Sequence, residues 1–301
     1  MPFCRPCLDG KQLLGLRARS PWAHKSGRRK AFALTLAPLT LTLLTLIFLT
    51  VAAAPTQAQQ HHAHSQVQAR VYPEFRSRFG VIHWVRDQMP LKVYISPGLT
   101  LDSIMDPHLG APVANTDNLA NWPNLVAQVV DNPEQFQALR PAEGYVDGHY
   151  QAVYEGILSW KQFEREGLVS FEITQDPAEA DIYVFYTHHF VTKNGMALFA
   201  GDIRGYTSKT NFPYKPILAG GQADFKPVVI ILRTTDGQGR PMALGRLKAA
   251  ATHEFGHALG IEGHSTDPID LMSLYYGRGV ISPNDAATLR YLYHLQPDLI
   301  P

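Results

Sequence analysis

Residues 253–265 read HEFGHALGIEGHS, and the fold and chemistry of the chain turn on them. A helix running to Gly260 sets His253 and His257 four residues apart on one face, where two imidazoles can grip one metal ion. Glu254 stands beside them, placed to take a proton from a water that the metal polarises. With 13 His and 26 acidic residues in 301 positions, a His-acid-x-x-His pattern arises by chance about 0.05 times, so it gains weight only from context. The context agrees. Leu244, Leu247, Ala250, Ala251, Ala258 and Leu259 extend one apolar helical face through the motif, so the histidines ride a buried helix rather than a loop. Pro241, after the turn at 236–239, suits the first position of that helix.

Working outward, residues 91–96 alternate apolar and polar with a period of two and predict a first strand closed by Pro97-Gly98. Residues 99–146 have loop composition around a short helix near 125–138 and read as an insertion. Asp147 is placed to cap a helix bearing Tyr150, Val153, Tyr154, Ile157 and Leu158, ended by Gly167. Strands are expected at 168–173, 180–186 and 227–232, with 181–186 apolar enough for a buried central strand. The Gly-rich stretches 201–208 and 220–225 suit an edge strand and loops. Ser282, Pro283 and Asp285 open a final helix, made amphipathic by Ala286, Leu289, Leu292 and Tyr293. The expected class is therefore α/β (α+β).

Composition bounds the rest. At 45% hydrophobic and 18% charged residues the chain reads as globular, with one principal domain. Eight Lys or Arg and one acid fall within residues 1–30, leaving 19 basic against 25 acidic residues beyond Ala58, which argues against a nucleic-acid partner. Residues 31–54 are uncharged and rich in Leu and Thr. With the basic stretch before them they form a leader over 1–58, an export signal cut after Ala58 or a membrane anchor, since roughly 20 apolar residues can span a bilayer. Either way the remainder is expected outside the cytoplasm, secreted, extracellular or periplasmic, or anchored through 31–54 with the catalytic domain outside. Any membrane contact is through this segment, and a monomer is expected. Cys4 and Cys7 both lie in the leader, so the exported part has no disulfide. Residues 59–88 form a linker and N-terminal extension: His61, His62 and His64 lie in a polar tract, and Phe75, Phe79, Val81, Ile82 and Trp84 can pack onto the domain at 89–301.

The chain resembles the metzincin zinc peptidases, and among them the bacterial matrixin-like enzymes, whose signature is HExxHxxGxxH followed by a Met-turn. His253, Glu254, His257 and Gly260 match position by position, and Asp270-Leu271-Met272 resembles the Met-turn, with Met272 beneath the metal. The resemblance covers about 150 residues and implies a twisted, mainly parallel mixed sheet with an active-site helix and a C-terminal helix. Two departures stand out. Ser273 replaces the usual residue after the Met, and the family's third His falls on Gly263, with His264 one place later. Gly260 and Gly263 free the turn, so His264 can still reach the metal. Glu262 is the competing ligand, with Asp267 behind it. A later Asp, Asp270 or Asp285, is a weaker alternative.

Three neutral His ligands would leave Zn2+ an open position for water, with Glu254 as general base. The expected reaction is endoproteolysis of a protein or peptide bound as an extended strand along the sheet edge near 201–225. The alternative is a non-catalytic extracellular zinc-containing binding module. Tyr275 and Tyr276 follow the turn, where the resemblance implies a substrate pocket; one of them stabilising an oxyanion and both simply packing are equally open readings. Asp202, Asp224 and Asp236 are candidate Ca2+ ligands in Gly-rich loops, against the plainer reading of solvated loop acids. His188 and His189 at a strand end pose the same choice between a secondary metal role and surface side chains.

Overall fold

The structure, a computed structural model, describes residues 69–106, 111–112, 116–191, 203–220 and 224–301. The leader, the tract holding His61, His62 and His64, and Asp202 lie outside the described residues. Within 65–301 six strands form the main sheet: β1 (Leu91–Thr100), β2 (Arg140–Pro141), β3 (Phe171–Thr174), β4 (Ile182–Thr187), β5 (Gly205–Ser208) and β6 (Val228–Arg233). Their spatial order is β2-β1-β4-β6-β5, with β3 also paired to β1. β3, β1, β4 and β6 run parallel, whereas β5 is antiparallel to β6 and β2 to the end of β1. The architecture is α/β with a mostly parallel mixed sheet. Among the described residues no helix is long and apolar enough to cross a membrane.

Every residue of β4 and β6 is buried, because the sheet is covered on both faces and its central strands meet no solvent. On one face Ile182, Val184, Tyr186, Val228, Ile230 and Leu232 pack with Val153 and Ile157 of α3 (His149–Leu158) and Leu247, Ala250 and Ala251 of α4 (Leu244–Ala258). On the other, Tyr183, Phe185, Val229 and Ile231 meet Trp122, Leu125, Val126 and Val129 of α1 (Trp122–Val130). Helix α1, within the segment of loop-like composition at 99–146, thus supplies a second covering layer.

Several local expectations give way to tertiary context. The strand from Leu91 continues through Pro97-Gly98 to Thr100, its register against β4 shifting between Ile95 and Thr100. Gly98 adopts φ +85°, and a Cβ there would fall 2.6 Å from the Tyr145 ring, so the irregularity bends the strand without ending it. The single helix near 125–138 is two, α1 and α2 (Pro133–Ala138), since Pro133 has no N–H to continue α1 and the Asn132 side chain caps the Gln135 amide instead. Gly148, not Asp147, occupies the cap position of α3, at φ +93° with no side-chain cap. Pro241 pairs with Thr235 in a β-bridge, and α4 starts only at Leu244, after Ala243. Phe79 stays 62% exposed under the Arg78 guanidinium, whereas Phe75, Val81, Ile82 and Trp84 are buried. The last helix, α5 (Pro283–His294), opens as expected on a Ser282–Asp285 capping box.

The helix that carries the motif is held on two sides. Trp160 Nε1 donates to the Thr252 carbonyl at 2.9 Å and Trp84 Nε1 to the Ala258 carbonyl at 2.8 Å. α3 approaches so closely that a Cβ on Gly156 would lie 2.7 Å from the Lys248 carbonyl oxygen, a backbone atom that cannot swing aside. Gly156→Ala should therefore push α3 off α4 and cost about 1–3 kcal/mol of stability, read as a lowered denaturant midpoint with unchanged slope.

Candidate metal centre

His253 and His257 project from one face of α4, and the helix stops one residue after Ala258 in a Schellman turn. Gly260 N–H bonds the His257 carbonyl at 3.0 Å, and Ile261 N–H bonds the Gly256 carbonyl at 3.1 Å. Gly260 holds φ +115°, and a Cβ on it would sit 2.2 Å from the Ile82 carbonyl oxygen, so the turn needs glycine for its backbone angle and for the close approach of Ile82. The chain then doubles back and brings His264 to the pair. A Cβ on Gly263 would lie 2.1 Å from the Glu74 carbonyl oxygen, and Glu262 N–H donates to the Phe75 carbonyl at 3.0 Å. The N-terminal extension thus lies against the ligand turn.

The three imidazoles converge with their Nε2 atoms inward. His257 Nε2 is 3.1 Å from His253 Nε2 and 3.3 Å from His264 Nε2, and one nitrogen from each ring lies within 4.8 Å of the other two. Nδ1 of His253 faces the Leu271 carbonyl at 2.8 Å, and Nδ1 of His257 faces the Ile261 carbonyl at 2.5 Å. Each of these Nδ1 atoms therefore carries the ring proton, and the paired Nε2 presents a lone pair. Burial pushes His253 down to about 3 and His257 well below its ordinary value, the neighbouring imidazoles adding to the effect; burial also lowers His264. Neutral lone pairs aimed at one another repel unless a cation sits between them, so the donor set fits a divalent metal.

The turn behind this centre is fixed by carboxylates. Asp285 accepts the amides of Leu271 at 2.9 Å, Met272 at 3.2 Å and Ser282 at 2.8 Å. Leu271 in turn offers its carbonyl to His253, so the start of α5 orients a ligand through one peptide. Met272 lies buried under α4, where a Cβ on Gly256 would fall 2.5 Å from its sulfur. Asp270 is engaged by Ser265 Oγ at 2.6 Å and Ser282 Oγ at 2.7 Å. Asp270 and Asp285 are thus committed to the scaffold and do not join the imidazoles.

Glu262 does not join them either, for its carboxylate is 2.5 Å from Lys209 Nζ. Asp267 accepts from the Ile269 amide. Glu254 is buried beside the pair, and Thr207 Oγ1 donates to its Oε2 at 2.8 Å. Burial drives its carboxyl up to about 8 against the pull of that hydrogen bond. A Cβ on Gly205 would lie 2.6 Å from Glu254 Cγ, so this edge strand needs glycine where the carboxylate passes.

A cleft of about 590 Å³ opens over the centre, lined on one side by Gly205, Tyr206 and Thr207 of β5 and on the other by Leu274, Tyr275 and Tyr276. The two tyrosines differ. Tyr275 is 67% exposed on the rim, whereas Tyr276 is buried with its ring 4.5 Å from His253 and its hydroxyl accepting the Arg204 amide at 3.3 Å. Tyr276 holds φ +61°, a strained backbone for a bulky residue.

The remaining candidates stand elsewhere. Asp224 pairs with Lys226, and Asp236 serves its own turn by accepting from Gln238 and Arg240. His188 and His189 follow β4 and lie outside the cleft lining. Among the described residues the only cluster of three or more metal-ligating side chains is His253, His257 and His264. Thr207, Lys209 and Asp285 carry no short-range sequence signal for their parts in the site, because β5, the ligand turn and α5 meet only in the fold.

Zn2+ at a hundredfold excess over its dissociation constant should stabilise the protein by about 2.7 kcal/mol, seen as a rise in melting temperature that EDTA reverses. His264→Ala should abolish most of that rise while the metal-free protein melts near the wild-type temperature. No protein-family model matches the chain, and no curated protein sequence matches it significantly.

Proposed function

We propose that the chain is a zinc endopeptidase of the metzincin type, akin to the bacterial matrixin-like enzymes and working outside the cytoplasm. The observation that carries this reading is the coincidence of three converging imidazole Nε2 atoms with a buried carboxylate, Glu254, in a cleft bordered by a sheet edge. His253, His257 and His264 would hold Zn2+, which when bound supplies a Lewis-acid charge that acidifies water and polarises a peptide carbonyl. A structural site closed by four protein ligands would have no use for Glu254.

The residues of the chain do the rest. Glu254 accepts the proton of the attacking water and returns it to the leaving amine, with Thr207 holding its carboxylate in line. A carboxyl raised by burial is suited to keep and release a proton, and a dication beside it favours the ionised form needed at the start. β5 is the terminal strand of the sheet and borders the cleft, so an extended substrate can add to it by main-chain hydrogen bonds. Of the two tyrosines, Tyr276 is the better placed to donate to the oxyanion: burial raises its pKa and keeps the phenol protonated, and its ring is fixed against His253.

The test is Glu254→Gln. The variant should bind Zn2+ with wild-type stoichiometry while cleavage of an unfolded protein falls by about 10²- to 10⁴-fold. Wild type that carries one Zn2+ yet cleaves no peptide library, or a variant that cleaves at the wild-type rate, would overturn the reading in favour of a non-catalytic zinc module.

A further inference from the structure

Glu262 is a carboxylate in the very turn that delivers the third imidazole. It lies two residues before His264, and it lines the same cleft as His253, His257 and His264. A dication at the imidazoles attracts any carboxylate within reach, and a fourth protein ligand converts an open site into a closed one. Something must hold Glu262 aside.

Lys209 is built to do so. It directly follows β5, whose backbone is pinned to β6, and its side chain is only 9% exposed. Its Nζ donates to the His257 carbonyl at 2.6 Å and pairs with Glu262 Oε1 at 2.5 Å. The ammonium therefore sits at the C-terminal end of α4, where the helix dipole favours a cation, and it engages backbone and carboxylate together. The Glu262 side chain is 21% exposed, so the pair is shielded enough from water to persist. From the backbone side, Phe75 accepts the Glu262 amide and the Glu74 carbonyl abuts Gly263.

We propose that Lys209 is a positioning residue that sequesters Glu262 and thereby keeps the metal centre three-coordinate in protein ligands, with one position open. The inference rests on the metal reading above and adds to it a determinant of coordination number. Replacing Lys209 with an uncharged residue frees the carboxylate, which then turns onto the metal and displaces water from the open position.

The experiment uses Co2+ in place of Zn2+, because its visible absorption reports ligand number and type independently of turnover. Wild type, Lys209→Met, Lys209→Arg and the double variant Lys209→Met/Glu262→Gln are loaded with one equivalent, and folding is checked by circular dichroism. Lys209→Met should shift the cobalt bands and lose about 10- to 100-fold in peptide hydrolysis. The double variant should regain the wild-type bands and most of the activity, since a neutral carboxamide is a poor ligand, and Lys209→Arg should match wild type. A folded Lys209→Met protein with wild-type bands overturns the proposal, as does a double variant that keeps the shifted bands. Should Lys209→Met fail to fold, Lys209→Gln replaces it under the same criteria. Wild type that takes up no Co2+ would instead defeat the metal reading itself, which separates the two failures.

Discussion

Imidazole lone pairs that face one another inside a protein are mutually repulsive, and the structure around His253 and His257 is organised to bear that repulsion. Left to themselves the rings would rotate apart and seek water. His253 cannot, because its Nδ1 is held by the Leu271 carbonyl, nor can His257, held by the Ile261 carbonyl. Those carbonyls are fixed in turn. Asp285 grips the Met272 amide, which shares a peptide plane with the Leu271 carbonyl, and the Schellman turn at Gly260 sets Ile261. Such outer contacts fix ring orientation and tautomer.

The same constraint explains why glycine recurs around the centre. Gly205 clears the path of Glu254, Gly256 makes room for Met272, Gly260 turns the chain against Ile82, and Gly263 lets the N-terminal extension pass. Each is a place where backbone comes too close for a side chain. The extra residue between Gly260 and His264, relative to the signature the chain resembles, is accommodated by these contacts. The turn is one residue longer, but Phe75 and Lys209 both brace it, and His264 still meets His257 at 3.3 Å.

The cleft has a division of labour that follows from burial. The titratable groups sit deep, where a low dielectric raises Glu254 and lowers the histidines. Leu274 and Tyr275 stand exposed on the rim. In the proposed peptidase this arrangement leaves substrate contacts adaptable while the reacting groups stay fixed.

What the sequence determined by itself was local and periodic. His253, Glu254 and His257 lie within one helical turn and a half, so their common face follows from 3.6 residues per turn. The buried strands β4 and β6 and the Ser282 cap were equally legible, since alternation, continuous apolar character and capping chemistry act over a few residues. What only the tertiary structure decided was anything that needed two distant segments at once. Within the loop-like stretch 99–146, residues of α1 cover the face of the sheet that carries Tyr183, Phe185, Val229 and Ile231. Pro97-Gly98 was absorbed as a strand irregularity because β4 continued alongside. The choice between His264 and Glu262 was open in the sequence, where both fall within reach of the turn. Lys209, more than fifty residues away, meets Glu262 only once β5 lies beside α4, and a charge placed by the fold is invisible to spacing along the chain.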